Sequence, residues 1–215
     1  MPREKSAPVV DVDAIAHRYS SYDTPFWARE NSLPGRWHVR GDGPTQYLSL
    51  STDGAWAELI RNERLTTEDE IAMVSVQMWA VAVTQAMIVD YSTFDRAEAA
   101  GFDPEAVVDE DYARCQQEGA RLRGLKYSGI LSPSAALPGA VNLTLFGPRT
   151  ASTWGRPPLL ASSLPATVIA KGAPPSGLLG QVRQVGTPHA GLGAYKSART
   201  ARGDGGDDAD EASDG

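Results

Sequence analysis

Apolar and polar residues alternate through residues 45–51, with Tyr47, Ser49 and Ser51 on one face and Leu48 and Leu50 on the other. A period of two predicts a half-buried strand. Thr52 or Asp53 then caps a helix running to about Arg64, with Trp56, Leu59 and Ile60 on its buried stripe. Upstream, Val12, Ala14, Ile15 and Ala16 form an apolar approach to Arg18, which predicts an earlier strand ending at that arginine. Residues 71–89 carry no charge and are long enough to cross a bilayer as a helix. Ser75, Gln77, Thr84 and Gln85 interrupt the stretch, acids flank it (Glu70, Asp90), and no basic cluster marks an inside face. It therefore predicts two buried strands, 72–78 and 86–91, with a bend between them. A short helix begins at Ser92 or Thr93 and ends near Gly101, and another runs from Asp109 or Glu110 to Gly124. Further strands are expected at 127–131, 142–146 and 164–170, and a last helix at 176–185. Strands and helices do not alternate regularly, so the expected class is α+β, one domain over residues 8–186.

Composition changes this picture mainly at the C-terminus. Residues 187–215 are rich in glycine and acids, and are expected to form a disordered tail. The last thirteen residues hold six acids and no base, so most of the formal net charge of −7 belongs to them. The remainder is nearly neutral, which argues against nucleic acid as a direct partner. One cysteine, Cys115, and three histidines offer little for a structural metal site and suit a reducing, cytoplasmic setting. No phosphate-loop, GxSxG or HExxH pattern occurs. The glycine-rich run at Gly191 and Gly193 lacks a third glycine, follows no predicted strand and lies in the expected tail.

Four segments carry polar or aromatic groups suited to chemistry. Arg18, within His17-Arg18-Tyr19-Ser20, offers a planar five-donor fork that suits a diphosphate. In Pro34-Gly35-Arg36-Trp37-His38, Gly35 allows a tight turn, Arg36 adds a cation, and Trp37 presents either a stacking face or a core side chain. The strand bearing Tyr47 turns into a helix bearing Glu58, one turn before Asn62. Finally, Gly129-Ile130-Leu131-Ser132-Pro133-Ser134 runs into a turn and is followed by Asn142-Leu143-Thr144-Leu145-Phe146. Each segment alone has an ordinary structural explanation; Ser134, for instance, suits a turn backbone.

Taken in order, HRYS, GRW, QYLSLS, AWAEL, GILSPSA and NLTLF resemble the RES domain, over roughly residues 15–149 and more weakly to about 183. The resemblance places Arg18, Glu58 and Ser134 at the family's named Arg, Glu and Ser, Arg36 in its Gly-Arg-Trp turn, Tyr47 in its YLS strand, and Asn142 at the following Asn. Pro34 stands where the family often has Gly, and His38 where it often has Asn. The resemblance implies an ADP-ribosyltransferase-like fold and a bacterial toxin that depletes NAD⁺ as its substrate, without a metal. It also implies a partner, an Xre-like antitoxin, and leaves homo-oligomerisation open. Arg18, with Arg36, would hold the diphosphate; Tyr47 would stack on nicotinamide or line its pocket; Tyr19, Trp37 and Asn142 would be further binding residues. Glu58 would meet the ribose hydroxyls and stabilise an oxocarbenium-like sugar, and Ser134 would position ribose or phosphate. The acceptor of ADP-ribose is open between inorganic phosphate, water and a protein, and a non-catalytic partner-binding domain is the alternative of another class.

Overall fold

A computed structural model describes residues 8–158 and 160–203. Its α+β domain is built on seven strands: β1 (Val9–Ser20), β2 (Thr45–Ser49), β3 (Val76–Asp90), β4 (Gly129–Pro133), β5 (Val141–Phe146), β6 (Thr150–Thr153) and β7 (Ser163–Gly172). Five helices accompany them: α1 (Thr52–Asn62), α2 (Glu68–Ala72), α3 (Phe94–Ala99), α4 (Ala113–Gly124) and α5 (Ala190–Ala201). The sheet order is β1-β2-β5-β4-β3-β7-β6, and a further β1–β3 pairing closes the first five strands into a ring.

The long strand β3 makes that closure possible. One edge pairs with β1 along almost its whole length; the other pairs with β7 at residues 76–81 and with β4 at residues 88–90. Between these halves the β1 register slips, Val10 facing Ile88 but Val12 facing Gln85, and Met87 adopts φ 62°. The extra residue bends and twists the strand, as a β-bulge does. The sequence predicts two strands with a bend here. The bend exists, but hydrogen bonding to β1 continues through it, and Ala72 belongs to α2.

Helix α1 follows the predicted stripe, with Trp56, Leu59 and Ile60 buried. Ser51, one residue before the expected cap, accepts from the Gly54 N–H at 3.0 Å. Helix α4 passes close to the 34–38 turn because Gly119 has no side chain; a Cβ there would lie 2.3 Å from the Trp37 carbonyl oxygen.

The C-terminal region departs from expectation. The predicted helix at 176–185 is only a 3-10 turn, Leu179–Gln181, since Gly177 adopts φ 81° and Gly180 adds a second weak helix former. Residues 190–201, expected within a disordered tail, form α5. Leu192 and Tyr195, one turn apart, are buried in the cluster that holds Tyr91, Phe94 and Trp37, and this burial outweighs the glycines at 191 and 193. The acidic stretch 204–215 lies outside the described residues. No helix among the described residues is long and apolar enough to cross a membrane.

Candidate active site

A cavity of about 560 Å³ opens between the end of β1, the strand β2, helix α1, the β4–β5 region and the loop from Ser21 to His38. Glu58 enters it from α1. The helical period places Ala55, Arg61 and Asn62 on the same wall, while Trp56, Leu59 and Ile60 pack away from it.

The Glu58 carboxylate is held through one oxygen. Its Oε1 accepts from Ser134 Oγ at 2.8 Å and from Asn142 Nδ2 at 2.6 Å. Ser134 is fully buried, and its hydroxyl also accepts from the N–H groups of Ala136 and Leu137, both at 3.1 Å. One donated and two accepted bonds fill the capacity of a hydroxyl. Of the two serines around Pro133, Ser132 rather than Ser134 lines the cavity wall. Asn142 Oδ1 is buried with no partner among the described residues, an acceptor left over at the heart of the site.

Arg18 stands at the end of β1, as expected. Its Nη1 donates to the amide oxygen of Gln46 at 3.3 Å, and its guanidinium lies 5.6 Å from the centre of the Trp27 ring. Burial pushes its pKa down to about 10, partly opposed by Tyr19 and Tyr47. It remains a cation at neutral pH, with an amide oxygen rather than a carboxylate for company. Arg36 also borders the cavity but is tied to structure. Its Nη1 donates to the carbonyls of Asp109 at 2.8 Å and Ala106 at 3.4 Å, and it sits 4.5 Å over the Tyr112 ring.

Tyr47 organises the Gly35–His38 turn. Its hydroxyl accepts from the Trp37 N–H at 2.9 Å and lies 2.8 Å from His38 Nδ1. His38 Nε2 lies 3.1 Å from the Leu33 carbonyl, which can only accept, so Nε2 carries the proton and Nδ1 accepts from Tyr47. Burial raises the Tyr47 pKa and lowers that of His38, so both stay neutral. Gly35 is required beneath them, because a Cβ there would lie 2.6 Å from the Tyr47 hydroxyl. Trp37 itself is 1% exposed and packs beside Phe102, so of its two expected roles the structure shows the core one. Tyr19 lines the cavity, its hydroxyl accepting from Asn62 Nδ2 at 3.3 Å.

The sequence matches the RES domain over residues 11–160. The chain belongs to the RES domain family. It is 31% identical over 141 residues, 61% of this chain and 66% of the relative, to a Mycobacterium tuberculosis protein named "Probable NAD(+) phosphorylase". It is 27% identical over 118 residues, 54% of this chain and 63% of the relative, to the "NAD(+) phosphorylase MbcT" of Mycobacterium bovis. The chain thus spans slightly less than two thirds of the length of these relatives. Its fold is similar to the crystal structure of the M. tuberculosis MbcT–MbcA toxin–antitoxin complex, with a TM-score of 0.53 and 23% identity over 64% of this chain and 75% of that one.

Within this RES domain the structure adds residues that the sequence motifs do not single out. Arg61, 4% exposed, lines the cavity beside Glu58 and is locked by Glu110 at 2.6 Å and by the Arg183 carbonyl at 2.9 Å. His189, at the head of α5 and beyond the matched residues, reaches the Ser134 carbonyl through Nε2 at 3.0 Å while Nδ1 accepts from the Leu192 N–H at 3.1 Å. Arg183 donates to the Ala135 carbonyl at 3.3 Å. The segment after residue 160 therefore braces the loop that holds Glu58. Among the described residues no group of three or more His, Cys, Asp or Glu is arranged to hold a metal ion.

Proposed function

We propose that this RES domain cleaves the nicotinamide–ribose bond of NAD⁺, transfers ADP-ribose to inorganic phosphate or water, and serves as the toxin of a toxin–antitoxin pair. The observation that carries the reading is the placement of one carboxylate, Glu58, anchored through Oε1 alone, in the same cavity as Arg18, a cation not paired with a carboxylate. The names of the mycobacterial relatives support it.

The carbon–nitrogen bond breaks with its electron pair going to nicotinamide, which leaves neutral. The ribose carbon becomes oxocarbenium-like and is then captured by a phosphate or water oxygen, the proton of an attacking O–H passing to solvent. Glu58 Oε2, free of the Ser134 and Asn142 bonds, stabilises the developing positive charge and takes up the ribose hydroxyls. Arg18 holds the diphosphate. Ser134 acts through Glu58 rather than on the sugar. Tyr47 and Arg36 shape the wall through the 34–38 turn and the 106–112 loop.

The test is incubation of the pure protein with NAD⁺, with and without phosphate, followed by mass analysis. ADP-ribose phosphate or free ADP-ribose is expected; a mass-shifted protein would instead make it a protein ADP-ribosyltransferase, and undiminished NAD⁺ would refute the reading. Since the structural relative was crystallised with an antitoxin, we infer an Xre-like antitoxin for this chain, acting in the cytoplasm. Co-purification with the product of an adjacent reading frame, with loss of NAD⁺ consumption in the complex, is the expected result.

A further inference from the structure

Trp27, not the Trp37 of the sequence motif, presents an aromatic face to the cavity. Both tryptophans border the cavity, but Trp37 is 1% exposed and packed in the core, whereas Trp27 is 37% exposed and lies next to Arg18. Partial exposure of a tryptophan on a loose loop would mean little, but this loop is tied down. Gln46, fully buried on β2, accepts from the Trp27 N–H at 2.9 Å and donates to the Trp27 carbonyl at 2.7 Å. Its other amide hydrogen reaches the Gly147 carbonyl at 3.2 Å. Phe26 is buried in the core beside it, and Ser20 Oγ donates to the Thr24 carbonyl at 2.9 Å and accepts from the Tyr22 N–H at 3.0 Å. Tyr22, 61% exposed, stands edge-on to Trp27 at 5.6 Å and 70°.

The same Gln46 oxygen accepts from Arg18 Nη1 at 3.3 Å. Arg18, Gln46 and Trp27 thus form one anchored unit, a cation beside a flat aromatic face. Glu58 is anchored separately, from Ser134 and Asn142. The cavity therefore holds two independently anchored groups, and the cation belongs to the aromatic one. A ligand with a heterocyclic base joined to phosphate matches that group: the base stacks on an indole while the guanidinium meets the phosphate.

We infer that Trp27, flanked by Tyr22, is the platform on which the adenine of the dinucleotide stacks, with Arg18 on the adjoining diphosphate. This rests on the NAD⁺-cleaving reading above. Alanine substitution of an aromatic base platform typically weakens binding about tenfold or more. Gln46 grips the backbone of residue 27, so Trp27→Ala leaves the loop's clamp in place.

Two measurements test the assignment. In calorimetry with ADP, which lacks nicotinamide and its ribose, the wild type binds, Trp27→Ala binds about tenfold more weakly or worse, and Trp27→Phe recovers most of the affinity. Absence of ADP binding, or equal binding by Trp27→Ala, overturns the assignment whether or not the chain turns over NAD⁺. In turnover, the preference in kcat/KM for NAD⁺ over nicotinamide mononucleotide falls about tenfold in Trp27→Ala, chiefly through KM. An unchanged preference places Trp27 on the nicotinamide half or off the ligand and overturns the adenine assignment. A wild type that binds ADP through Trp27 but consumes no NAD⁺ would refute the catalytic reading while leaving the base platform standing.

Discussion

Ser134 donates to Glu58 Oε1 at 2.8 Å while its own oxygen takes two backbone N–H groups, so the serine and the carboxylate behave as one fixed unit. Ser134→Ala removes the donor and strands the N–H groups of Ala136 and Leu137 in a buried loop. The expected result is a stability loss of about 1–3 kcal/mol and a fall in kcat with little change in KM. Glu58→Ala, which removes the charge-bearing group itself, should lower NAD⁺ loss by at least about 100-fold in a protein that melts normally. If Ser134→Ala raised KM instead and left kcat intact, the serine would be touching substrate rather than positioning Glu58.

The two arginines of the site separate by what they touch. Arg18 faces an amide oxygen and an aromatic ring and is available to an anion, whereas Arg36 is bonded to two backbone carbonyls. Arg18→Ala should cut kcat/KM on NAD⁺ by about 100-fold without lowering the melting temperature. Arg36→Ala should lower the melting temperature through the 106–112 loop and reduce turnover less. The opposite ranking, measured on both purified variants, would reassign the diphosphate to Arg36.

How much of this was visible in the chain depends on sequence distance. Helix α1 and strand β2 follow from local periodicity, because their buried and cavity-facing residues repeat within a few positions. Strand β6 escaped because it is mostly exposed and pairs only with β7, so no alternation marks it. Helix α5 escaped because its apolar contacts, Leu192 and Tyr195, sit among glycines, and their burial depends on partners about a hundred residues earlier. The site obeys the same logic. Glu58 meets Ser134 and Asn142 across 76 and 84 residues, a proximity no periodicity encodes and only the family resemblance suggested. Trp27 belongs to no motif, Gln46 opens the QYLSLS motif without an assigned role, and only the folded loop shows them clamped together.

The substitution of His38 for the family's frequent Asn has a structural answer. His38 accepts from Tyr47 and donates to Leu33, completing a chain that fixes the turn above the cavity. Tyr47→Phe breaks both ends at once, leaving the Trp37 N–H and His38 Nδ1 unpaired. A destabilisation of about 1–3 kcal/mol is expected from urea denaturation. In a double-mutant cycle with His38→Leu the two effects should be strongly non-additive; simple additivity would show that the Tyr47–His38 bond does not form in solution.

Histidine protonation should set the pH dependence of stability above the carboxylate range. His17, His38 and His189 all titrate below the ordinary histidine value, in each case mainly because burial disfavours the imidazolium; for His189 the nearby Arg183 and Arg61 add to this. Between the depressed folded pKa and the unfolded value of about 6.5, the unfolded chain binds more protons. Stability is therefore complete above about pH 6.5 and declines as pH falls below it. The lowered carboxyls of Glu110 and Glu118 lose their contribution only further down, below about pH 4.3. His189 has the most direct link to the site, since an imidazolium can no longer accept from the Leu192 N–H, and the grip of α5 on the Ser134 carbonyl loosens. His189→Gln keeps an amide donor for Ser134 but cannot gain a charge. Unfolding free energies at pH 7.5 and 5.5 should differ less in this variant than in the wild type, and turnover should decline less over the same interval. An identical pH slope in the two proteins would place the sensitivity in His17 or His38 instead.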